Sequence, residues 1–210
     1  MMSFDDKAKD WDKNPNNINR AKIIAQEIRE FIKPTKEMTA LEFGCGTGLL
    51  SHSLQHDFKS VILTDTSAGM LTVLHKKIAD EHITNFFPYL LDLSKENFQD
   101  ETNKFDVIYT SMTFHHIVES DKMLTKFNAL LNKGGYLCIA DLDKEDGLFH
   151  QQNEHDFLHH GFDRTELETL MKKAGFNPVF YKIILDIEKT VENGEVKKYP
   201  VFLIIAKSLN

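Results

Sequence analysis

Apolar residues recur at two spacings along the chain, and the two spacings alternate. Between Ile18 and Ile32 the apolar positions lie three or four residues apart, which predicts an amphipathic helix that Pro34 closes. Beyond it come short apolar runs of strand length, separated by further stretches of helical spacing; the runs are 38–44, 60–65, 86–92, 105–111 and 136–142. Strands that alternate with helices predict a parallel sheet covered on both faces.

Four stretches of helical spacing lie between or after these runs, at 49–58, 67–82, 119–131 and 162–176. Ser67 is placed to cap the second helix. Asp163, with Glu166 three residues later, begins the fourth, and Gly175 marks its exit. Gly134 and Gly135 predict a turn into the fifth strand, and Pro88 indicates an irregular or early position in the third strand.

The C-terminal part of the chain has a different pattern. Runs of strand type at 178–191 and 196–207 flank the turn sequence ENGE, which predicts a β-hairpin. Such a hairpin would add an antiparallel strand to an otherwise parallel sheet.

Composition sets limits on the kind of protein. The 210 residues fit one domain, and 41% hydrophobic with 27% charged residues is a globular balance. A net charge of −7 disfavours nucleic-acid backbones. No stretch has the ~18 consecutive apolar residues of a membrane span, and the first ten residues contain no apolar leader core. Cys45 and Cys138 lie in apolar strand contexts, so we expect reduced thiols and a cytoplasmic protein.

A glycine-rich segment follows the first predicted strand, Gly44-Cys45-Gly46-Thr47-Gly48. Ligands of open α/β sheets bind beyond the carboxyl ends of the strands, where this segment falls. A dinucleotide-binding loop would have its third glycine at position 49, which is Leu49. The spacing argues against a pyrophosphate and favours a ligand with a compact, charged, unphosphorylated part.

Three acidic residues lie at the ends of successive predicted strands. Asp65 is placed to accept from both hydroxyls of a ribose, and Asp92 from an exocyclic amine such as that of adenine. Glu42, just before the glycine loop, could face an ammonium or sulfonium group. Three acidic groups around one pocket suit a cationic nucleoside and disfavour an anionic nucleotide.

Taken in order along the chain, these segments resemble the motifs of class I S-adenosylmethionine-dependent methyltransferases. The segments are LEFGCGTG, LTDTSAGML, LLDLS, FDVIYTSMTFHHI and LLNKGGYLCIAD, and with the closing hairpin the resemblance covers nearly the whole chain. It implies an α/β fold, a Rossmann-like, doubly wound sheet of seven strands that is mostly parallel and ends in an antiparallel hairpin strand. It also implies S-adenosyl-L-methionine as cofactor and S-adenosyl-L-homocysteine as product.

The resemblance assigns cofactor-binding roles to eleven residues. Those of the glycine loop shape the methionine side, those after the second strand hold the ribose and flank the adenosine, those after the third strand meet the adenine, and a serine at the end of the fourth approaches the cofactor. The residues are Glu42, Gly44, Cys45, Gly46, Gly48, Asp65, Thr66, Met70, Asp92, Leu93 and Ser111.

We expect a single methyltransferase domain over residues 1–210. Within it, 1–36 would form an N-terminal helical cap or lid and 37–142 the cofactor-binding core. A histidine-rich insertion on the substrate side would cover 143–162, and 163–210 would hold the C-terminal helix and hairpin. Trp11 is either an anchor for the N-terminal helix or part of a lid over the cofactor.

Each candidate site residue also has a purely structural interpretation. The glycine loop could serve packing, Asp65 could cap a helix (although Ser67 fills that role), and Asp92 could be a turn residue. Glu42 has no convincing structural role unless it is paired.

Histidines supply the candidate catalytic groups. His115 and His116 follow the fourth strand, where substrates of this family meet the methyl group; one of them could act as general base, or both could be structural. His155 and His159, four residues apart, have the spacing of metal ligands, but no cysteine accompanies them. A solvated or substrate-lining segment is favoured there, and no metal is predicted.

The sequence therefore predicts an enzyme that methylates a small organic acceptor, with O-, N- or C-methylation left open. No nucleic-acid or membrane partner is expected, and the protein would be a monomer or homodimer. A non-catalytic S-adenosylmethionine-binding regulatory module is the alternative. A nicotinamide-dependent oxidoreductase is a third hypothesis, opposed by Leu49 and by the terminal hairpin.

Overall fold

The computed structural model describes residues 4–96, 104–149, 159–191 and 194–210. In this part of the chain seven strands form one sheet in the order β3-β2-β1-β4-β5-β7-β6. The strands are β1 Thr39–Phe43, β2 Ser60–Asp65, β3 Phe86–Leu90, β4 Phe105–Ser111, β5 Leu131–Leu142, β6 Phe176–Thr190 and β7 Val196–Ser208. Strands β1 to β4 pair in parallel, whereas β7 pairs antiparallel with both β5 and β6. The predicted fold class is confirmed.

The helices of the described residues follow most of the predicted stretches. They are α1 Phe4–Trp11, α2 Pro15–Ile32, α3 Leu49–Ser53, α4 Ala68–Asp80, α5 Ser120–Leu130 and α6 Arg164–Lys173, with a 3₁₀ turn at Phe114–His116. The prediction for 49–58 was wrong in extent, because the chain leaves the helix at Leu54 and forms turns up to Asp57 before β2 begins. Helix α1 was not predicted as a separate helix, since Ala8 is its one buried residue and its sequence is otherwise polar.

Residues 1–111 form one compact unit, centred on β1. Ala40 and Leu41 are fully buried, and Leu41 lies in register with Ile62 of β2 and Ile108 of β4. Apolar runs without alternation are expected for strands with helices on both faces. Pro88 lies within β3, which is one of the two edge strands of the described sheet, and there its missing N–H interrupts no ladder.

Residues 112–210 form the second compact unit. Here β7 is sandwiched between β5 and β6, and its segment Val201–Ala206 is completely buried. The turn predicted at Gly134 and Gly135 lies inside β5 as the structure defines it. Gly134 nevertheless has a φ of +74°, and pairing with β7 starts only at Tyr136. Of the predicted hairpin turn, residues 192 and 193 lie outside the described residues.

Two predicted helix caps are confirmed. The Ser67 hydroxyl accepts from the Met70 N–H at the start of α4, and the Asp163 carboxylate accepts from the Glu166 N–H at the start of α6. Each satisfies one of the backbone donors that a helix leaves unpaired at its first turn. Among the described helices, none is both long and apolar enough to cross a lipid bilayer.

The carboxylate of Asp5 ties helix α1 to the first turn of α4. Asp5 Oδ1 accepts from the Ser67 hydroxyl at 2.5 Å and from the Gly69 N–H at 2.7 Å. These two hydrogen bonds lower the pKa of Asp5. The approach requires a glycine, because a Cβ at Gly69 would lie 2.7 Å from the Asp5 Cα.

We therefore expect Gly69→Ala to detach α1 while leaving α4 intact. Alanine favours an isolated helix by about 1 kcal/mol over glycine, but here its methyl group would meet backbone that cannot move without losing both Asp5 hydrogen bonds. Hydrogen exchange should show loss of protection in 4–11 and none in 70–80. Thr72→Ala, an exposed position one turn later, is the matched control. Unchanged protection of α1 in Gly69→Ala would contradict this account.

Candidate functional site

The loop between β1 and α3 has a backbone that only glycine adopts readily. Gly44, Gly46 and Gly48 all have positive φ, at +67°, +53° and +77°. The loop is fixed to the end of β2, since the Gly44 and Cys45 N–H groups both donate to the Thr64 carbonyl, at 2.9 and 3.0 Å. Side chains at these glycines would strain the loop.

The loop glycines differ in what lies next to them. A Cβ at Gly48 would come within 2.6 Å of Leu74 Cδ1, so this glycine permits the packing of α4. At Gly46 the nearest atom to a Cβ would be Met70 Sδ, at an ordinary contact distance of 4.0 Å, and the residue is partly exposed, so the loop presents uncrowded backbone there. Packing thus explains Gly48 but not Gly46, and Met70 itself is buried.

Asp65 joins the glycine loop to helix α4. Its Oδ2 accepts from the Gly46 N–H at 2.6 Å and its Oδ1 from the Ser67 N–H at 2.8 Å. The carboxylate is partly exposed. Burial raises its pKa, although both N–H donors work in the opposite direction. Thr66, the next residue, is exposed.

The predicted adenine-side residues, Asp92 and Leu93, lie two and three residues beyond the end of β3. Leu93 is fully buried, while Asp92 is partly exposed and accepts from the Ser94 N–H at 3.1 Å and from Lys95 Nζ at 2.7 Å. Burial tends to raise the pKa of Asp92, but Lys95 and Ser94 outweigh it and lower the value. Asp92 is therefore a turn residue, as its purely structural interpretation proposed, and it still presents a carboxylate to solvent. The Leu91 N–H donates to the Asp65 carbonyl, which ties this segment to β2.

Glu42 lies in β1 and is bonded into the interior of its unit. It is 2% exposed, and its Oε2 accepts from the Ser51 hydroxyl and from the Ser51 N–H. The Ser51 hydroxyl also lies 2.7 Å from Tyr109 Oη, on the strand position next to Glu42. Burial raises the pKa of Glu42 to about 8, and the Asp65 charge adds to the shift. Glu42 is therefore paired, and its structural role is to take part in this hydroxyl network.

Two further cofactor-side residues, Cys45 and Ser111, are placed as follows. Cys45 is buried with a free thiol, and burial raises the pKa of that thiol well above its ordinary value. Ser111 is partly exposed as the last residue of β4. Beside it, the buried Thr110 hydroxyl has no hydrogen-bond partner among the described residues.

The N-terminal segment reaches the glycine loop directly. Asp12, just after α1, accepts from the Thr47 hydroxyl at 2.5 Å and pairs with Lys77 Nζ at 2.8 Å. Lys77 also donates to the Thr47 carbonyl at 2.9 Å. Trp11 is partly buried and meets Phe4 edge to face, with ring centroids 6.2 Å apart. The segment contacts the loop through Asp12, a residue that no sequence motif singled out.

The two candidate catalytic histidines have different environments. His115 is 1% exposed, and its Nδ1 lies 2.5 Å from Oδ1 of Asp141, which is itself fully buried. Asp141 also accepts from the His115 and Leu142 N–H groups at 3.2 and 2.7 Å. Burial tends to raise the pKa of Asp141, but its His115 contacts and the backbone donors lower it. His116 is partly exposed, and its ring packs 4.1 Å from that of His115.

The histidine-rich segment is only partly described, because His150 and His155 lie outside the described residues. His159 Nε2 lies 2.9 Å from the Ile117 carbonyl, which this ring nitrogen reaches only as an N–H donor. His160 Nδ1 lies 3.2 Å from Glu145 Oε1. Within the described ranges, no group of three or more histidine, cysteine, aspartate or glutamate side chains could hold a metal ion.

Several residues of these networks were missed by sequence reasoning: Asp5, Asp12, Thr47, Ser51, Lys77, Tyr109 and Asp141. Asp141 carried the same signal as Glu42, an acidic residue in a buried apolar strand, which has to be paired. Asp5, Asp12 and Lys77 are polar residues in polar segments, and nothing in their local sequence distinguishes them.

Residues 17–180 match the sequence profile of a known family, described as a methyltransferase domain. The chain belongs to this family. The predicted membership of the class I S-adenosylmethionine-dependent methyltransferases, with that cofactor, is thereby confirmed.

Individual relatives agree with this membership. An uncharacterized methyltransferase of Schizosaccharomyces pombe is 30% identical over 152 residues, 67% of this chain and 54% of the relative. A demethylmenaquinone methyltransferase of Bacteroides fragilis is 26% identical over 173 residues, 80% of this chain and 67% of the relative. The chain spans about half the length of several of the curated relatives it matches.

A solved structure supports the fold. The complex between the Haloferax volcanii Trm112 methyltransferase activator and a methyltransferase matches with a TM-score of 0.77 at 16% identity. The match covers all of this chain and 99% of that chain.

The methyltransferase cofactor fits the residues present. Partly exposed backbone at Gly46, a partly exposed carboxylate at Asp65 and another at Asp92 lie at neighbouring strand ends in the unit 1–111. Carboxylates suit the hydroxyls, amine and positive charge of S-adenosylmethionine and would repel phosphates. Glu42 fits less directly, because its described contacts are with Ser51 in the interior.

Glu42 makes a prediction about pH. Its pKa is about 8 in the folded chain and 4.5 ordinarily, so the native state holds a proton that the unfolded state loses between these values. Stability should fall as the pH rises from about 5 to about 8, at up to about 1.4 kcal/mol per pH unit. Urea unfolding of Glu42→Gln, which cannot ionise, should show a flatter pH dependence over this range.

Glu37→Gln is the control for this comparison, because Glu37 is an exposed carboxylate. It should leave the pH dependence close to that of the unchanged chain. Equal pH slopes in the Glu42→Gln variant and the unchanged chain would mean that Glu42 is already ionised in the native state.

Proposed function

We propose that this chain transfers the methyl group of S-adenosylmethionine to a small organic acceptor. The observation that carries the proposal is the loop at Gly46, which has partly exposed, uncrowded backbone and is held by the Asp65 carboxylate. Membership of the methyltransferase family supplies the reaction class.

The residues that would hold the cofactor are those of the unit 1–111. The backbone at Gly44, Gly46 and Gly48 would border the amino-acid end. Asp65 would accept from the ribose with the lone pairs that Gly46 and Ser67 leave free, since each carboxylate oxygen can accept more than one hydrogen bond. Thr66 and Met70 would flank the adenosine, Asp92 and Leu93 would meet the adenine, and Ser111 would approach from the end of β4.

When bound, the cofactor supplies an electrophilic methyl group on a positively charged sulfur. The protein then has to align the acceptor with the carbon–sulfur bond and to exclude water. Correct alignment alone is worth about 7–11 kcal/mol of the barrier, so a strong base is not obligatory. This is why the candidate site can consist mainly of backbone and carboxylates.

His116 is the group we propose to act on the acceptor, either as a general base or by orienting it. It is the partly exposed member of the histidine pair, whereas His115 is buried. Asp141 fixes the ring of His115 through Nδ1, and His115 packs against the ring of His116. We therefore assign His115 and Asp141 positioning roles behind His116.

The relatives do not identify the acceptor. One is named for demethylmenaquinone and another, from Ilyobacter polytropus, for the malonyl group of an acyl-carrier protein. Acceptors as different as these indicate that the shared cofactor motifs do not select the acceptor. The Haloferax volcanii methyltransferase is complexed with an activator. A turnover assay of this chain alone tests whether it is active without one.

Turnover tests the proposal. Formation of S-adenosylhomocysteine should appear with at least one member of a panel of phenols, amines, carboxylic acids and quinols. Binding of S-adenosylmethionine with no turnover on any acceptor would favour a regulatory module, and no binding would exclude both.

Asp65→Ala should weaken S-adenosylmethionine binding by about 100-fold, because it removes hydrogen bonds to a charged group worth about 1.5–3 kcal/mol each. It also frees the Gly46 and Ser67 N–H groups, so circular dichroism should accompany the calorimetry. Asp80→Ala, an exposed carboxylate on α4, is the control and should bind like the unchanged chain. Equal affinity in the Asp65→Ala variant would remove this carboxylate from the site.

His116→Ala should lower turnover while S-adenosylmethionine affinity stays the same. A general base contributes about 10²–10⁴-fold, and loss of orientation alone would cost less. Asp141→Asn should also lower turnover, and it should change the pH–rate profile, since it changes the hydrogen bond at His115 Nδ1. His75→Ala on α4 is the exposed-histidine control. If His116→Ala retains turnover within a factor of two, the histidine pair is structural.

A further inference from the structure

An apolar cluster in the unit 112–210 contains a polar group that its surroundings do not explain. The cluster consists of Leu142, Phe149, Tyr199 and Val201. Tyr199 is 3% exposed, and its hydroxyl has no hydrogen-bond partner among the described residues. Buried hydroxyls are nearly always paired, and an unpaired one is costly to the folded state.

The cluster lies at the end of the sheet where open α/β folds bind ligands. Leu142 is the last residue of β5 and pairs with Val201. Because β7 runs antiparallel to β5, Tyr199 near the start of β7 lies at the carboxyl end of β5. Ligands of such sheets bind beyond the carboxyl ends of the parallel strands.

Backbone strain is found at the same cluster. Met112 packs against it and has a φ of +54°. The other described non-glycine residues with positive φ, Lys33 and His82, follow the ends of helices, where this conformation is ordinary. Met112 instead follows a strand, its N–H held by the Ala140 carbonyl at 2.9 Å. Strained residues of this kind cluster at functional sites.

The loop after β5 holds Phe149 firmly beside Tyr199. Glu145 Oε2 accepts from the Gly147 and Phe149 N–H groups at 2.8 and 3.2 Å. Lys189 Nζ lies 4.3 Å from the centre of the Phe149 ring. The Phe149 and Tyr199 rings meet edge to face, with centroids 5.1 Å apart. The two aromatic rings of the cluster therefore come from the loop and from the hairpin.

We propose that this cluster is the acceptor subsite, and that it binds an apolar, ring-sized portion carrying a hydrogen-bond-accepting oxygen, to which the Tyr199 hydroxyl donates. The proposal rests on the proposed methyl transfer for the word acceptor, but the binding itself does not depend on it. Burial, together with the nearby Asp146 carboxylate, raises the pKa of Tyr199, so the hydroxyl keeps its proton and can act as donor. The substrate class is thus small aromatic or alicyclic compounds with a carbonyl or comparable oxygen.

The test uses two probes of similar shape, acetophenone, which has a carbonyl oxygen, and ethylbenzene, which has none. Ligand-observed NMR titration should show acetophenone binding to the unchanged chain and at least tenfold weaker binding to Tyr199→Phe. Ethylbenzene should bind both proteins equally. Tyr181→Phe removes a hydroxyl from the neighbouring strand β6 and is the matched control; it should bind acetophenone like the unchanged chain.

Urea unfolding of Tyr199→Phe separates a ligand-binding hydroxyl from a structural one. Loss of an unpaired buried hydroxyl should leave the unfolding midpoint unchanged or raise it. A lowered midpoint would show that the hydroxyl has a partner within the chain and would overturn the proposal. Equal acetophenone affinity in the Tyr199→Phe variant, or no binding to the unchanged chain, would also overturn it.

Calorimetry with S-adenosylmethionine distinguishes this failure from failure of the proposed function. If the chain binds acetophenone through Tyr199 but does not bind the cofactor, the subsite stands and the methyl transfer falls. If it binds the cofactor but shows no difference between the two probes, the reverse holds.

Discussion

The hydrogen bonds of Asp65 are the constraint on which the glycine loop of the unit 1–111 depends. One carboxylate at the end of β2 accepts from the glycine loop at Gly46 and from the start of α4 at Ser67. Because both segments are held by the same group, the three positive-φ glycines keep a fixed path at the end of β1. A loop without this tie would lose the bare backbone at Gly46 as a binding surface, however many glycines it contained.

The two buried carboxylates, one in each unit, have pKa values shifted in opposite directions. Glu42 is surrounded by hydroxyls and an N–H, so burial prevails and its pKa rises to about 8. Asp141 is equally buried but faces an imidazole and two backbone donors, so its pKa falls. The same residue class at the same depth is therefore neutral in one place and charged in the other, as the difference in partners requires. A neutral Glu42 stabilises the interior, whereas a charged Asp141 can orient a histidine.

The sequence predicted the strands well and the contacts between elements poorly. Strands β2 and β4 begin and end where the apolar runs do, and Ser67 and Asp163 cap the helices they were expected to cap, because these features depend on neighbouring residues alone. The predicted helix at 49–58 was too long, since the end of α3 is set by the turn that leads to β2. The ties of Asp5 and Asp12 join segments about 35 to 64 residues apart, and no local pattern encodes them.

The same contrast explains why the sequence indicated the family but not the acceptor subsite that we propose. The residues proposed to bind the cofactor lie in short, contiguous motifs at strand ends, so their spacing can be recognised in the sequence alone. Leu142, Phe149 and Tyr199 come from a strand, a loop and a hairpin, and each alone is an ordinary core residue. What distinguishes Tyr199 is an unpaired hydroxyl, which is a property of its surroundings in three dimensions. A site defined by what a polar group lacks can be found only once its neighbours are known.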